Sequence, residues 1–595
     1  MHDPHAELQR RLAARQAAVA DRDRADARIG TLRLAVFAAA VGTGWLSLAQ
    51  RQLAAWWLLA PLLAFVALVF WHDRVIAARA LARRAAAFHE RALARLDGRI
   101  AGTGTPGDGL APPEHPCAAD LDLFGPGSVF ELLCAARTRP GEERLAAWLL
   151  QPAAPDALRA RQRAVAALAP RLDLREELDI LGDEVRAAVD ARALAGWGAA
   201  APLAPAGLLP GALAMAAATV AAAAGWAAGL FGGLPLAAAL LAQWALSRSV
   251  REPVARTLAA LDRPAAELRV LALLLARLER EPFDDERLRA LQATLRGGRR
   301  PASARIAALV AASARIEWAH NQFFAPIAFG LSWRPLHAAL VERWRLAHGR
   351  EIGAWLDAMA ELEALSSLAG RAYEHPADPF PEIVEPGPDR HALLEGEALR
   401  HPLLPQAVPN DVRLGGDGPR VLLVSGSNMS GKSTYLRTVG VNVVLALAGA
   451  PVPAARLRLT PLAVGATLRI QDSLQAGRSR FYAEITRLRQ ISDLAAGEVP
   501  LLFLLDEILH GTNSHDRRIG AEAVIRALAA RGAAGIVTTH DLALTALAGA
   551  DGSLANAHFE DQVRDGQIAF DFRLRPGVVT HSNALALMRG VGLEV

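Results

Sequence analysis

Uncharged apolar runs interrupt the first half of the chain and predict membrane-spanning helices. Residues 34–50 and 52–71 carry no charged side chain, and a single arginine separates them. Each run has about the length, roughly 17–25 residues, that a helix needs to cross a ~30 Å hydrocarbon core. A second uncharged stretch, residues 193–247, has room for two further spans, near 207–226 and 229–246. The alternative is that these are buried helices of a soluble core, an interpretation that fits the alanine-rich second stretch better than the first.

Arginines flank the open ends of both predicted hairpins. Seven lie between residues 10 and 33, four lie between residues 74 and 84, and Arg248, Arg251 and Arg256 follow the second hairpin. Cytoplasmic loops carry an excess of such residues. We therefore expect a multi-pass protein of the cytoplasmic (inner) membrane, with both hairpins open to the cytoplasm and the rest of the chain there.

The remainder of the chain shows two patterns of apolar residues, one typical of helices and one typical of alternating strands and helices. Residues 118–192 and 248–372 place apolar side chains at helical spacing, whereas residues 101–116 and 376–388 are rich in turn-forming residues. After about residue 390, short apolar runs such as 421–424 alternate with helical stretches. That alternation predicts a parallel sheet with crossover helices.

Composition narrows the class of protein. The chain has 595 residues, of which 52% are hydrophobic and 21% charged, and this excludes intrinsic disorder as its main state. Two cysteines, Cys117 and Cys134, exclude a disulfide scaffold. A formal charge of +4 is too small for a polycation that coats nucleic acid. Lys432 is the single lysine, which suggests a position where an arginine fork cannot replace a compact ammonium group.

That lysine lies in a phosphate-binding loop pattern. An apolar run at 421–424 leads into G-x-x-x-x-G-K-[ST] and then into a predicted helix, which is the context that this motif requires. Backbone N–H groups of such a loop converge on phosphate oxygens at a helix N-terminus. We expect Lys432 to reach the phosphates and Ser433 to bind Mg²⁺. The predicted nucleotide-binding residues are Gly426, Ser427, Asn428, Met429, Ser430, Gly431, Lys432, Ser433 and Thr434.

Acidic and polar residues end two later apolar runs. Asp506 and Glu507 follow residues 501–505, and His540 follows residues 535–539. An acidic residue at a strand tip beside such a loop can hold Mg²⁺, and the next carboxylate can orient the attacking water. We therefore predict Asp506 as a metal ligand, Glu507 as a catalytic carboxylate and His540 as a contact to the terminal phosphate.

These motifs resemble the MutS family of mismatch-repair ATPases. The loop resembles the family's P-loop, except that Ser427 and Ser430 stand where the family usually has proline and glycine. Residues 472–484 are similar to the family's signature segment, and residues 506–514 and 538–540 to its later motifs. The resemblance implies ATP and Mg²⁺ as ligands and a dimer with composite ATP sites. In such a site Ser479 would reach the nucleotide of the opposite subunit; the alternative for Ser479 is a helix N-cap.

The resemblance extends toward the N-terminus. Residues 127–133, 148–152 and 161–163 look like the start of the MutS helical core, and residues 362–368 and 400–403 look like its return. No segment resembles the family's mismatch-reading domain, and we expect the ATPase motifs to end the chain without a nuclease module. The resemblance thus points to a membrane-anchored MutS-related subgroup.

The predicted fold class is an α-helical membrane-anchored core followed by an α/β P-loop NTPase domain of ABC or MutS type. Its predicted divisions are an arm with the first hairpin (1–100), the first part of the core (101–192), the second hairpin (193–247), the rest of the core (248–400) and the ATPase domain (401–595).

The predicted function is ATP binding and hydrolysis coupled to conformational switching, with the lipid bilayer as a partner. The resemblance implies double-stranded DNA as a further partner, and contact with DNA would depend on arginine patches such as Arg296, Arg299, Arg300 and Arg305. The alternatives are an ABC-like membrane ATPase and a membrane scaffold without DNA binding.

Overall fold

The structure is a computed structural model. It describes residues 3–50, 52–185, 191–258, 265–387, 389, 391–427, 429–469, 480–509, 514–548, 552–564 and 567–579. Helices occupy the chain up to residue 374 and the strands follow, which agrees with the predicted order of a helical region and a mixed α/β region.

The first apolar pair forms one long helical hairpin. Helix α1 (Pro4–Gly44) runs into a π-helical turn (Trp45–Ala49), and a 3₁₀ turn (Ala55–Leu58) leads into α2 (Leu59–Leu96). Helices of 41 and 38 residues are roughly 60 Å long at 1.5 Å per residue. The uncharged runs therefore fill only the distal half, and the predicted arm continues the same helices as a charged stalk.

Fourteen α-helices follow in chain order among the described residues up to residue 374. The first seven are α3 (Val129–Leu133), α4 (Arg139–Leu150), α5 (Pro155–Leu168), α6 (Leu172–Val185), α7 (Ala191–Ala199), α8 (Leu208–Ala227) and α9 (Leu234–Ser249). The others are α10 (Arg251–Leu258), α11 (Ala265–Arg280), α12 (Glu286–Arg296), α13 (Ala302–Glu317), α14 (Ala325–Gly330), α15 (Trp333–His348) and α16 (Ile352–Glu374).

Helix α16 is the central element of the helical core. It packs against α4, α5, α7 and α12, so nearly all of its length is buried. Its polar side chains are paired: Arg371 donates to Asp378 at 2.7 Å, and Glu363 accepts from Thr138. A helix that is covered on all sides keeps polar groups only where partners meet them.

Ion pairs attach the stalk to this core. Arg15 of α1 lies 2.7 Å from the buried carboxylate of Glu176 on α6, and Arg91 of α2 lies 2.6 Å from buried Asp179. Arg95 of α2 pairs with Glu374 at the end of α16. The apolar hairpin is therefore held on the core by charges at least partly withdrawn from water.

Three described helices are long and apolar enough to cross a membrane by length and composition: the helical segments 4–49 and 56–96, and α8. Helix α8 covers the predicted span 207–226. The predicted span 229–246 only partly overlaps α9 (Leu234–Ser249), which has 16 residues and is shorter than a bilayer-crossing helix of about 20.

The C-terminal region contains two sheets. The strands are β1 (Glu382–Ile383), β2 (Leu394–Leu399), β3 (Asn410–Leu414), β4 (Val421–Ser425), β5 (Arg456–Leu459), β6 (Ala463–Thr467), β7 (Leu501–Asp506), β8 (Ala534–Thr539), β9 (Leu554–Arg564) and β10 (Gln567–Pro576). The helices between them are α17 (Lys432–Ala448), α18 (Arg480–Leu494), α19 (Ser514–Ala530) and α20 (Leu542–Thr545).

The larger sheet has the order β10-β9-β4-β8-β7-β6, and only the β9–β10 pair is antiparallel. The smaller sheet has the order β1-β5-β2-β3. Its strands β1 and β2 precede residue 401, so the sheet region begins before the predicted domain boundary. Strands β4, β7 and β8 are almost wholly apolar because both faces of the large sheet are covered.

Candidate functional site

The loop between β4 and α17 is the centre of the site. Gly426 and Gly431 have φ values of 152° and 106°, which side chains rarely adopt. A Cβ on Gly431 would also lie 3.1 Å from Cδ1 of the Phe572 ring, which is a tight contact. Met429 has a φ of 69° and is exposed, while Asn428 lies outside the described residues.

Lys432 is the first residue of α17 and is buried. Its ammonium group donates to the carbonyl oxygens of Gly426 at 2.9 Å and Ser427 at 2.7 Å. Its nitrogen also lies 3.9 Å from Glu507 Oε1. The single lysine of the chain is thus folded back over the loop that it follows, and its positive charge contacts two carbonyl oxygens of that loop.

Ser433 and Asp506 form a hydrogen-bonded pair of side-chain oxygen atoms. Ser433 Oγ donates to Asp506 Oδ2 at 2.6 Å, and Thr538 Oγ1 donates to the other carboxylate oxygen. The sheet places the Asp506 carboxylate next to Thr538, because Asp506 of β7 is directly opposite Thr538 of β8 in the parallel register. Thr538 is a site residue that the predicted set omitted, although it lies in the segment 538–540 that resembles a family motif.

Glu507 and His540 form a second pair of side chains in the site. Glu507 has a φ of 50°, and its backbone N–H donates to Thr538 Oγ1 at 3.1 Å. Its carboxylate pairs with His540 Nε2, while His540 Nδ1 donates to the Gly426 carbonyl at 3.2 Å. A carbonyl can only accept, so this contact places a proton on Nδ1. The histidine therefore connects the carboxylate to the loop.

Glu484 is a second residue that sequence reasoning did not assign to the site. Its side chain is buried on α18 and accepts the backbone N–H of Leu509, which has a φ of 59°. Arg517 of α19 donates to the Leu509 carbonyl at 3.2 Å. The backbone just after Asp506 and Glu507 is thus fixed from two helices, one of which begins directly after the predicted signature serine.

The other predicted residues divide between those the structure describes and those it does not. Thr434 is exposed on α17, and Ser427 contributes its carbonyl to Lys432. Ser430 is buried, and its hydroxyl has no hydrogen-bond partner among the described residues. Ser479, like most of the signature segment, lies outside the described residues.

These groups fit a nucleotide phosphate and a magnesium ion. The loop offers a buried hydroxyl without a partner on Ser430, left-handed glycines and one ammonium group beside a helix N-terminus. Ser433 and Asp506 are hard oxygen ligands, and Mg²⁺ is usually bound by one or two carboxylates together with substrate phosphates. The described residues contain no group of three or more histidine, cysteine or acidic side chains that would hold a metal on its own.

Comparison with known proteins identifies this region. Residues 422–594 match the family model for MutS domain V. The chain is also 37% identical over 242 residues to the DNA mismatch repair protein MutS 2 of Halobacterium salinarum. That match covers 40% of this chain and 27% of the length of the relative. The matched region contains the loop, the Ser433–Asp506 pair and the Glu507–His540 pair, so this part of the chain is similar to MutS domain V.

Proposed function

We propose that this chain is an ATPase of MutS type, attached to the cytoplasmic membrane, in which ATP binding and hydrolysis switch the helical core. One observation carries the ATPase proposal: the fold brings Lys432, the Ser433–Asp506 pair and the Glu507–His540 pair to the same edge of the large sheet. These residues are distant in sequence, and their meeting is what phosphoryl transfer requires.

Each residue has a separate task in this proposal. Lys432 and the loop amides bind the phosphates, and Ser433 and Asp506 would hold the Mg²⁺ ion, which neutralises charge on the phosphate oxygens when it is bound. Glu507 orients the attacking water. His540 holds the Glu507 carboxylate in place through one ring nitrogen and is anchored to the loop through the other.

The proposed assembly is a homodimer with composite sites. Ser479 comes directly before α18, and α18 is tied through Glu484 to the backbone after Glu507. A second subunit that presents its Ser479 to this site would therefore be coupled to the position of the catalytic carboxylate. This supports a switch in which nucleotide binding and subunit contact depend on each other.

Membrane attachment is proposed from the apolar hairpin. Leu34, Leu63 and Phe70 are among many large apolar side chains that α1 and α2 expose. A contiguous exposed apolar surface of this size is unfavourable in water and favourable in hydrocarbon. The charged contacts of Asp26 lie on the core side of the hairpin, where its carboxylate meets His72 at 2.6 Å and Arg79 at 3.0 Å.

Two of the four arginines predicted to contact DNA are engaged within the protein. Arg305 is buried against Glu351 and the Gly297 carbonyl, and Arg296 donates to the Glu279 carbonyl. Arg299 and Arg300 are exposed. Duplex binding is retained as a proposal from the similarity of residues 422–594 to MutS domain V. A salt titration of duplex affinity tests it because phosphate contacts weaken steeply with salt. Binding that is absent at 50 mM salt would favour a membrane ATPase or scaffold without DNA.

The ATPase proposal is tested with the full chain in detergent or nanodiscs. The wild type should hydrolyse MgATP, and Lys432→Ala should not. Arg413→Ala is the matched control because Arg413 is exposed on β3, away from the site. Equal hydrolysis by the wild type and Lys432→Ala would contradict the proposed function.

A further inference from the structure

A third uncharged segment lies outside both predicted hairpins. Residues 318–333 contain no acidic side chain, lysine or arginine, and Glu317 and Arg334 bound the run. Large apolar side chains along it face outward, and Phe323 is 92% exposed. Trp318 and Ile327 are also exposed. Clustered exposure of this kind marks an interaction surface.

This segment is fastened to the second hairpin. Gln243 is fully buried on α9, and its amide donates to the Phe329 carbonyl at 2.8 Å and to Ser332 Oγ. On the other side of α14, Gly330 lies against Thr219 of α8. Gln243 is six residues before the end of α9, which is about 9 Å along a helix. The segment therefore lies beside the second hairpin, close to the end of α9.

A groove of about 500 Å³ opens between the hairpin base and this segment. Its walls include Val250, Phe329 and Trp333, and two cationic side chains, Arg251 and Arg334, lie on its lining. Both arginines are exposed, and neither side chain has an ion pair or hydrogen bond with any other described residue. The groove thus combines an apolar wall with two arginines that pair with no described residue.

The aromatic wall is fixed in place. Trp333 donates its ring N–H to the Arg315 carbonyl at 2.7 Å, and its ring stacks with that of Trp318 at a centroid distance of 6.3 Å. Tryptophans held in this way are typical of the boundary between hydrocarbon and water. Arg251 also follows the second hairpin on the side where the arginine excess predicts the cytoplasm.

We propose that this groove binds the headgroup of an anionic phospholipid, with Arg251 and Arg334 facing the phosphate and the apolar wall facing the start of the acyl chains. The inference rests on the proposed membrane attachment. A zwitterionic lipid brings its own ammonium group to the phosphate, so two exposed arginines in one groove favour a lipid with net negative charge. The exposed aromatic segment would lie in the same interfacial layer.

Native mass spectrometry of the detergent-solubilised full chain tests the site. The protein is mixed with equal amounts of phosphatidylglycerol and phosphatidylcholine, and the ratio of the two retained lipids is measured. The wild type should favour phosphatidylglycerol. Arg251→Gln/Arg334→Gln should lower the ratio roughly tenfold, since each basic residue near an anionic surface contributes appreciably to binding. Arg289→Gln/Arg343→Gln, two exposed arginines away from the groove, should leave it unchanged.

Two further measurements distinguish a failure of the lipid site from a failure of membrane attachment. Excess glycerol 3-phosphate should not displace the retained lipid, and displacement would reassign the groove to a free phosphate compound. Retention of each variant in membranes after an alkaline wash reports membrane attachment by itself. Retention with an unchanged lipid ratio in the groove variant overturns the lipid site alone, whereas loss of the wild type from the membrane overturns both proposals.

The position of the aromatic segment gives an independent readout. A Phe323→Cys variant that carries an environment-sensitive fluorophore should shift its emission to the blue when the chain is reconstituted in phosphatidylglycerol vesicles. The same label at Arg343→Cys should not shift. Identical spectra for the two labels would overturn the interfacial placement of the segment.

Discussion

Ser433 Oγ donates a 2.6 Å hydrogen bond to Asp506 Oδ2 across 73 residues of sequence. The pair joins the helix after the phosphate loop to the tip of β7, two strands away in the sheet order β4-β8-β7. Thr538 of the intervening strand holds the second carboxylate oxygen. A displacement of any one of these three elements would therefore move the proposed metal ligands apart.

Replacement of Lys432 should remove most nucleotide affinity without loss of the fold. We expect Lys432→Ala to lower MgATP affinity by roughly 10- to 100-fold, the range for hydrogen bonds to a charged group. Lys432→Arg should also fail, because a planar guanidinium cannot occupy the place of an ammonium group that contacts two carbonyl oxygens. Equilibrium nucleotide binding and thermal unfolding measure the two effects. Normal hydrolysis by Lys432→Arg would refute the argument from the single lysine.

Changes at the two adjacent carboxylates should separate binding from turnover. Glu507→Gln should bind MgATP but turn over roughly 10²- to 10⁴-fold more slowly, since only the group that orients the water is lost. Asp506→Asn should weaken the Mg²⁺-dependent part of binding because Ser433 and Thr538 would lose their shared carboxylate. Binding measured with and without Mg²⁺, together with single-turnover hydrolysis, distinguishes the two variants. Full turnover by Glu507→Gln would contradict its proposed role.

Mixed dimers should reveal whether Ser479 acts across the subunit boundary. Ser479→Arg and Lys432→Ala should each be nearly inactive alone. A heterodimer of the two contains one site with an intact loop and an intact serine, so part of the ATPase activity should return. An N-cap role for Ser479 predicts no such recovery and a lower melting temperature for Ser479→Arg. The heterodimer fraction is verified with two affinity tags before activity is measured.

Selective labelling of added cysteines should report the topology of the hairpins. Burial raises the pKa of Cys117 and Cys134 to about 12, so neither native thiol competes for a thiolate-directed reagent. Gln52→Cys and Gly232→Cys should react with an impermeant maleimide from outside the cell, and Arg343→Cys only after permeabilisation. Protection of both turns, together with extraction of the chain by salt alone, would defeat the membrane proposal.

Stability should fall as the pH rises from about 4.5 to 7 because of Glu363. Burial within the core raises the pKa of this carboxyl from 4.5 to about 7, against hydrogen bonds from Thr138 and the Arg137 amide that favour ionisation. The fold therefore prefers the protonated form. The stabilisation from this preference is complete below pH 4.5 and is lost as the pH rises through 7. Its loss lowers the free energy of unfolding by on the order of 3 kcal/mol.

Glu363→Gln should remove that dependence because an amide has no charge to bury. The difference in unfolding free energy between variant and wild type should therefore grow in favour of the variant from pH 5 to pH 8. A constant difference across this range would show that Glu363 does not titrate there. The exposed pair Arg526 and Glu522 offers a control in Glu522→Gln, which should give no such trend.

Local patterns were sufficient for the parts of the site that are contiguous in sequence. The loop at 426–434 lies between a strand and a helix, as the residues on either side of it predicted. Thr538 and Glu484 were not assigned to the site because their roles depend on which strands and helices become neighbours. Neither residue type in isolation points to the atoms that it contacts, which are Asp506 Oδ1 and the Leu509 amide.

The sequence by itself determined the order of a helical region and an α/β region, the apolar runs and the family motifs, since each follows from periodicity or from residues close together in the chain. Only the tertiary structure decided that Arg305 is buried against Glu351 and that α9 is a short helix clamped to residues 329–332 through Gln243. Contacts of this kind join residues far apart in sequence, and their energy depends on burial and on the partner that meets each charge. The pattern of residues along one segment shows neither the burial of a side chain nor the partner of a charge.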